Sequence, residues 1–322
     1  MELKDEKIVK KLEKIFMPLS VTGRAELAKC GNQFVHYTSA ENALNILRSQ
    51  KLWLRTPSCM NDYREISHGY QMLVDFFNDD HNRKNFVTAI DSYEDGLAKS
   101  IFEGFDEWWG KIRSNIFIAS ISVHHQHENQ HGRLSMWRAY GSESGKAALV
   151  LNNPPKSNTR LGVILSPAAY FSPHDLKREL YKVIDSINEN VEFLKGLERN
   201  TILSTVIISL IILAVSLKHP GFEEEQEWRL IYLPKLINNS SWVERSVESI
   251  GGVPQVVYKL PLKNSEKLEI EGLSPSDIIS SIIIGPTQYP LAMFDAFIDT
   301  LNGLGIDDAS NKIVLSDIPL RT

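Results

Sequence analysis

The residues best suited to chemistry lie where an acidic run meets an apolar strand pattern. Glu225 and Glu227 end the run, and Arg229 follows within a segment that is otherwise apolar and aromatic. Side chains alternate between the faces of a strand, so a strand that starts by Glu225 places these three on one face, opposite a core face that begins with Trp228. The charged face could bind a cationic or oxocarbenium-like centre, or accept hydrogen bonds from sugar hydroxyls. A solvated edge strand protected by its charges explains the same pattern.

A second candidate is His36-Tyr37-Thr38, at the end of a short strand pattern. Thr38 and Glu41 have the spacing of a capping box, which predicts that a helix begins here. The first turn of a helix offers unpaired N–H groups and the positive end of its dipole to a phosphate or a carbonyl group. His36, two residues before the predicted cap, could hydrogen-bond a ribose hydroxyl. The alternative is a histidine that binds carbonyl groups of the loop.

A third candidate combines aromatic and basic side chains between Arg133 and Gly141. Trp137 and Tyr140 could stack on a planar ring, while Arg133 and Arg138 hold a phosphate. The two aromatic residues are three positions apart, a spacing that also suits a pair of core anchors. Both interpretations stay open.

Histidines recur in the polar stretch before this segment, at His124, His125, His127 and His131. Imidazole is a common metal ligand, but the spacing matches no H-E-x-x-H pattern and only Glu128 supplies a carboxylate nearby. We predict a solvated loop and expect no metal. The sequence also has no GxGxxG, Walker, GxSxG or CxxC motif. This disfavours Rossmann dehydrogenases, P-loop ATPases, α/β-hydrolases and zinc ribbons.

Apolar periodicity predicts an α+β protein. Helical spacing covers about residues 5–17, 66–113, 174–217 and 291–301, and the second range is predicted to be a helical insertion. Strand patterns fall at 33–37, 52–56, 116–123, 146–151, 163–170, 228–233, 256–260, 278–284 and 313–315. Because strands and helices mix without regular alternation, we predict a mixed or split β-sheet in a single domain over residues 1–322.

The composition is that of a globular protein. The 322 residues are 43% hydrophobic and 23% charged, and the net charge of −5 excludes a strongly basic nucleic-acid-binding chain. Two cysteines suit a reducing compartment. The longest apolar stretch, Ile202 to Leu217, is shorter than the roughly 20 residues that span a membrane, and it predicts a buried core helix. We expect a soluble, cytoplasmic protein with no membrane span.

Blocks of residues, in this order, resemble the bacterial domain-of-unknown-function 2971 family. They are His36-Tyr37-Thr38-Ser39 with Leu52-Trp53-Leu54 and Asn61-Asp62, then Trp137-x-x-Tyr140-Gly141, then Lys218-His219 through Glu225-x-Glu227-Trp228-Arg229-Leu230, and finally Ile282-Ile283-Ile284-Gly285-Pro286. The resemblance runs from about residue 33 to the C-terminus. Tyr63-Arg64 departs from it, since family members more often carry proline and an aromatic residue there. The family name implies no activity.

The order of the histidine and glutamate blocks is also similar to that of ADP-ribosyltransferases. These enzymes carry a histidine or arginine on a first strand, an aromatic residue or serine on a second, and a glutamate, in some as Glu-x-Glu, on a later strand. The resemblance implies an ADP-ribosyltransferase-like fold in which His36 binds ribose and Glu227 is the catalytic glutamate. Glu225 then positions the acceptor and Arg229 fixes both carboxylates. The sequence alone assigns no residue to the second strand element.

This resemblance implies NAD as the substrate and a protein, a nucleic acid or water as the acceptor. Tyr140, or less well Tyr63, would stack on nicotinamide. The implied nucleotide-binding set is His36, Tyr37, Thr38, Trp137, Arg138, Tyr140 and Arg229. The function implied is ADP-ribosyl transfer or NAD hydrolysis by a toxin or phage-defence effector. Two alternatives stay open: a non-catalytic module that senses a nucleotide or phage component, and a hydrolase that holds a divalent metal on its acidic face.

Overall fold

The computed structural model describes residues 6–59, 65–113, 115–140, 145–154, 161–236 and 242–319. The family-block residues Asn61, Asp62, Tyr63, Arg64 and Gly141 lie outside these ranges. The chain divides into two compact units: unit 1 comprises residues 1–25, 57–115 and 166–223, and unit 2 comprises 26–56, 116–165 and 224–322. Each unit is therefore built from three separate segments. The organisation as a single domain stays a prediction.

In chain order the helices are α1 (Glu6–Phe16), α2 (Pro18–Lys29), α3 (Ala40–Ser49), α4 (Glu65–Asn78), α5 (Asp80–Asp91), α6 (Leu97–Ile112), α7 (Leu134–Ala139), α8 (Pro173–Glu189), α9 (Val191–Lys195), α10 (Arg199–Ser216), α11 (Pro275–Ile278) and α12 (Pro290–Gly303). The strands are β1 (Gln33–Ser39), β2 (Lys51–Arg55), β3 (Phe117–Val123), β4 (Lys146–Asn152), β5 (Ile164–Pro167), β6 (Glu227–Tyr232), β7 (Glu244–Ile250), β8 (Val253–Pro261), β9 (Ile279–Ile284) and β10 (Ile313–Leu315). The α+β prediction is confirmed.

Unit 1 is helical. The region predicted as one helical insertion consists of three helices, α4 to α6, and the region from 174 to 217 consists of α8 to α10. A local signal explains the start of α8. Ser172 caps α8 by accepting a hydrogen bond from the N–H of Asp175, and Pro173 occupies the first turn, where a missing N–H costs nothing.

Helix α10 forms part of the packed interior of unit 1. By length and composition it could cross a membrane, but 61% of its apolar window is buried inside the protein. Helix α4 approaches it closely at Gly69, where a Cβ atom would lie 2.0 Å from the carbonyl oxygen of Ala214. The burial agrees with the predicted core helix. The cytoplasmic location stays a prediction.

Unit 2 is organised around a ten-stranded sheet with the order β10-β9-β4-β1-β3-β2-β8-β7, while β6 pairs with β3 and β5 pairs with β6. Strands β9 and β10 are parallel, whereas β1–β4 and β3–β6 are antiparallel, so the sheet is mixed, as predicted. One face packs on α3 and α12 through residues such as Leu47 and Phe297. The other face packs on α7 through Met136 and Trp137.

The sheet splits beside β3. At Ser122 the partners are Val35 of β1 and Glu227 of β6, so β1 and β6 lie on opposite edges of β3. At Ile118 the partners are Arg55 of β2 and Ile231 of β6. Strands β1 and β2 therefore pair with the same edge of β3, β1 near the end of β3 and β2 near its beginning. Between their contacts, the backbone around Ser120 faces the gap that separates the two strands.

The start of α3 corrects one prediction. Thr38 is the predicted cap, but it lies within β1, and Ser39 is the N-cap, whose side chain accepts a hydrogen bond from the N–H of Asn42 at 3.2 Å. Serine and threonine can both cap a helix, so the residue whose backbone leaves the strand decides which of them is the N-cap. Strand β1 is two residues longer than the pattern indicated.

Candidate functional site

The junction before β6 overturns the predicted alternation of charged residues. Residues Pro220–Glu225 form a 3-10 turn, and β6 begins only at Glu227. Gln226, between them, has a positive φ of 45°. This left-handed residue breaks the two-residue periodicity on which the prediction depended. Glu225 is therefore not on the strand face that carries Glu227, and the prediction that both carboxylates share a face is wrong.

Glu227 and Arg229 do share a face of β6, and both side chains are buried. The guanidinium binds both carboxylate oxygens, with Nε donating to Oε1 at 3.0 Å and Nη2 donating to Oε2 at 3.0 Å. Ser120 of β3 adds a hydrogen bond from its Oγ to Oε1 at 2.5 Å. A desolvated ion pair needs such additional donors to be tolerated. The alternative of a solvated acidic edge strand is therefore wrong.

His36 reaches the same serine from the gap in the sheet. Its Nδ1 donates to the carbonyl oxygen of Ser120 at 2.9 Å. A carbonyl oxygen only accepts, so Nδ1 carries the proton and Nε2 of the neutral ring is an acceptor. Burial lowers the pKa of His36, and the bond to Ser120 opposes this only in part. The neutral ring is therefore favoured near neutral pH.

His36 and Glu227 meet Ser120 from different sides. Val35 shares a face with Ser122 and Glu227 through the register of β1, β3 and β6. His36, the next residue, alternates to the opposite face. The structure thus links the two predicted catalytic residues through Ser120, one by its backbone and the other by its side chain.

Arg133, which the sequence pattern suggested as a phosphate-binding residue, instead organises this junction. Its guanidinium holds the chain before β6 by donating to the carbonyl oxygens of Glu224 and Glu225 at 2.7 and 3.0 Å. It also donates to the carbonyl oxygen of Val123, where β3 ends, at 3.0 Å. A planar fork with five donors suits such a set of acceptors. Arg133 therefore fixes where β6 starts.

The carboxylate that balances Arg133 is Glu128, which is buried. Arg133 Nε donates to its Oε1 at 2.7 Å, and the N–H of His125 donates to its Oε2 at 3.1 Å. Burial raises the pKa of Glu128, but the hydrogen bonds and charge of Arg133 outweigh it, and the net pKa is lowered. His124 is also buried, its Nε2 donates to Oδ1 of Asn129 at 2.7 Å, and burial lowers its pKa. The prediction of a fully solvated loop is wrong for these residues.

Two predicted nucleotide-binding residues are core residues. Trp137 is fully buried, and its Nε1 donates to the carbonyl oxygen of His131 at 2.6 Å. Tyr37 packs edge-on against it with ring centroids 4.9 Å apart. Its hydroxyl accepts from the N–H of Arg133 at 2.8 Å, and burial raises its pKa. Neither ring offers a free face for a ligand, so the core-anchor interpretation holds for Trp137.

The remaining members of the set lie apart from the Glu227 pair. Thr38 lies two residues after His36 on β1, so it shares the face of His36, opposite the face of Glu227, and it is partly buried. Arg138 is exposed, and Tyr140 is partly buried against the cluster that contains Trp137. The structure therefore brings together His36, Glu227 and Arg229, and it adds Ser120. Within the described ranges, no three His, Cys, Asp or Glu side chains are grouped closely enough to hold a metal ion.

A search of protein families finds a match for residues 136–230 with the family described as "Protein of unknown function (DUF2971)". The matched region begins beside Trp137 and ends on β6, so it contains the glutamate and arginine of the buried pair, together with Tyr140. The His36 block and the Ile282–Pro286 block lie outside it. No curated protein and no solved structure matches the chain. The resemblance of the chain to the 2971 family is confirmed over residues 136–230.

Proposed function

We propose that the protein is an NAD-dependent ADP-ribosyltransferase or NAD glycohydrolase whose reacting centre is held beside Glu227. The observation that carries this proposal is the double contact of Ser120, with His36 on its carbonyl and Glu227 on its hydroxyl. Ser120 lies on β3, next to the strand that bears the glutamate. We assign to Ser120 the role of the serine expected on a strand between those of the histidine and the glutamate, for which the sequence pattern indicated no residue.

The chemistry requires a carboxylate that is fixed before the reaction. When the C–N bond between nicotinamide and ribose breaks, its electron pair leaves with nicotinamide and positive charge develops on the ribose. A buried, oriented carboxylate stabilises that charge at little reorganisation cost. Glu227 meets this requirement because Arg229 and Ser120 fix both of its oxygens. An oxygen or nitrogen of the acceptor then bonds to the ribose carbon and loses its proton.

Nε2 of His36 is the atom suited to a ribose hydroxyl, since Nδ1 is committed to Ser120. The position of Glu225 off the strand removes it as the residue that positions the acceptor. Trp137 and Tyr37 contribute to the fold of this region and not to stacking. The proposed machinery is therefore smaller than the sequence implied: His36, Ser120, Glu227 and Arg229.

A second candidate is a non-catalytic module that binds a nucleotide. It is favoured by the engagement of both Glu227 oxygens in the pair with Arg229, because a neutralised carboxylate stabilises a nearby cation less. The placement of His36 on the opposite face favours it too. Such a module would bind NAD or a related nucleotide without releasing nicotinamide.

The experiment that separates the two is incubation with NAD, with and without cell lysate as a source of acceptors, followed by measurement of free nicotinamide. Glu227→Gln tests whether nicotinamide release needs the carboxylate of Glu227. Glu225→Gln is the matched control, because it makes the same change two residues earlier, before β6 begins. Ser120→Ala weakens the hold on Glu227 without leaving a buried charge unpaired, and it carries the test if Glu227→Gln does not fold. Circular dichroism confirms the fold of each variant.

Nicotinamide release by the wild type and Glu225→Gln, lost in Glu227→Gln and reduced in Ser120→Ala, supports the transferase. Tight NAD binding by calorimetry with no release identifies the second candidate. Equal loss in Glu225→Gln and Glu227→Gln contradicts the assigned role of Glu227. The proposed role as a toxin or phage-defence effector predicts that expression in bacteria lowers cellular NAD and arrests growth, and that Glu227→Gln abolishes both effects.

A further inference from the structure

A cavity of about 280 Å³ lies where β9 and β10 end, in unit 2. Its walls include Ile284, Pro286, Pro290, Leu315, Asp317 and Ile318. Because β9 and β10 are parallel, both strands end on the same side, and the chain turns away from that edge into different elements. Crevices outside the carboxyl ends of parallel strands are common places for ligands to bind. The cavity involves none of the residues in the proposed transferase centre.

Large apolar side chains around this cavity are exposed to solvent. Leu315, in its wall, is 40% exposed, and Tyr289 and Leu291, which flank Pro290, are 59% and 71% exposed. They are three of the seven large apolar residues that are exposed in the described part of the chain. Apolar side chains that gather at one concave site, next to polar residues, are typical of a surface that binds another protein.

Strand β10 is at one end of the strand order, and among the described residues β9 is its one neighbouring strand. The outer edge of such a strand offers N–H and C=O groups to an added extended segment. The segment would continue past Leu315 along the wall of the cavity. This geometry favours an extended partner over a helix.

The charged side chains of residues 284–319, the segment that supplies the walls of the cavity, are mostly negative. Asp317 lies in its wall with a side chain that is 77% exposed, 3.4 Å from Nδ1 of His131. Asp295 and Asp299 follow Leu291 at intervals of four on α12, so they share its exposed face. The one lysine between residues 290 and 319, Lys312, donates to the carbonyl oxygen of Ile279 at 2.8 Å. A partner that complements this surface carries positive charge.

We propose that this surface binds an extended, basic segment of a partner protein. An apolar side chain of the segment fills the cavity against Leu315, and a neighbouring lysine or arginine pairs with Asp317. The acidic face of α12 attracts further basic residues of the same segment. This interaction does not depend on NAD chemistry.

The test uses short fluorescent peptides and the full chain, with binding followed by fluorescence polarisation. One peptide alternates leucine with lysine, a second replaces each leucine with serine, and a third replaces each lysine with glutamate. The first peptide binds, and the other two bind at least about tenfold more weakly. Leu315→Glu and Asp317→Asn each weaken the first peptide by a similar factor. Val247→Glu is the matched control, since Val247 is also exposed but lies on β7, at the other end of the strand order.

Failure of the leucine–lysine peptide to bind overturns the proposal. Equal binding of the serine–lysine peptide overturns it too, because the surface would then attract charge without using the cavity. So does equal weakening by Leu315→Glu and Val247→Glu. If the protein is dimeric in solution and Leu315→Glu makes it monomeric, the occupant is a second copy of the chain and the basic partner is excluded.

Discussion

Arg229 holds Glu227 through two hydrogen bonds of 3.0 Å each, and the two residues lie two positions apart on the same face of β6, both buried. Strand alternation makes this pairing available wherever Glu-x-Arg is extended. In solvent such a pair stabilises a protein by little, but here water has been removed from both charges. The stability of unit 2 and the orientation of the proposed catalytic carboxylate therefore depend on the same contact.

Replacing Arg229 tests whether the stability of unit 2 depends on its pair with Glu227. Arg229→Ala leaves Glu227 as a buried charge without its main partner, so we expect the free energy of unfolding to fall by about 3–5 kcal/mol. Urea denaturation measures it. Arg138→Ala, at an exposed arginine, should change the value by less than about 0.5 kcal/mol. Similar losses in both variants would show that the ion pair does not stabilise the fold.

The lowered pKa values of His36 and His124 predict how the free energy of unfolding depends on pH. Burial lowers the pKa of His36 and of His124 below the usual 6.5. Between the folded and unfolded pKa values the unfolded chain binds a proton that the folded chain does not. The free energy of unfolding therefore falls as pH drops below about 6.5, by up to about 1.4 kcal/mol per pH unit for each histidine.

His36→Asn isolates one of these contributions. The amide of asparagine can still donate to the carbonyl of Ser120 but does not titrate in this range, so the decline between about pH 7 and pH 5 should become shallower. Denaturation at several pH values measures the slope. An unchanged slope in His36→Asn would contradict the assigned cause.

Gly285, in the last block of the family pattern, is predicted to tolerate no side chain. A Cβ atom there would lie 2.8 Å from Cε3 of Trp137 and 2.9 Å from Cβ of Lys146. Gly285→Ala should cost about 1–3 kcal/mol of stability through overpacking and should alter tryptophan fluorescence. Gly303→Ala is the control, because a Cβ atom at Gly303 meets nothing within 4 Å. Equal stability of the two variants would disprove the close packing on Trp137.

Arg133 and Glu128 should behave as a coupled pair. Arg133→Ala leaves Glu128 buried without its main donor, so its cost should be about 3–5 kcal/mol. Adding Glu128→Ala should restore part of this loss, giving a coupling energy of about 0.5–3 kcal/mol in a double-mutant cycle measured by urea denaturation. Arg133→Lys should recover little, because a lysine cannot span several acceptors at once. Strict additivity of the two alanine variants would contradict the direct contact.

Sequence patterns located most strands of unit 2 because their residues are apolar on at least one face. Ile279–Ile284 and Phe117–Val123 are examples, and the predicted bounds differ by one residue from those observed. Strand β7 was missed since none of its residues is buried, so no apolar periodicity marks it. Apolar periodicity in a sequence indicates which faces are buried. A strand with no buried face, at the end of a sheet, therefore shows little of it.

The sequence predicted three residues that the structure brings together, and it misplaced a fourth. The sequence indicated His36, Glu227 and Arg229, but it placed Glu225 beside them because nothing local marks Gln226 as left-handed. That conformation is held by Arg133, which is distant in sequence and donates to the carbonyl oxygens just before Gln226. Ser120 was missed for the same reason, since only the pairing of β3 with β6 brings it to Glu227.

The interleaving of the two units restricts the order in which the chain can fold during synthesis. Unit 1 is complete only when residue 223 has left the ribosome, and unit 2 needs its last segment, with β9 and β10, from beyond residue 224. Contacts between segments so far apart in sequence form slowly. No N-terminal portion of this chain contains a finished unit until two thirds of it has been made, so truncation from the C-terminus removes the sheet edge of unit 2 before it shortens unit 1.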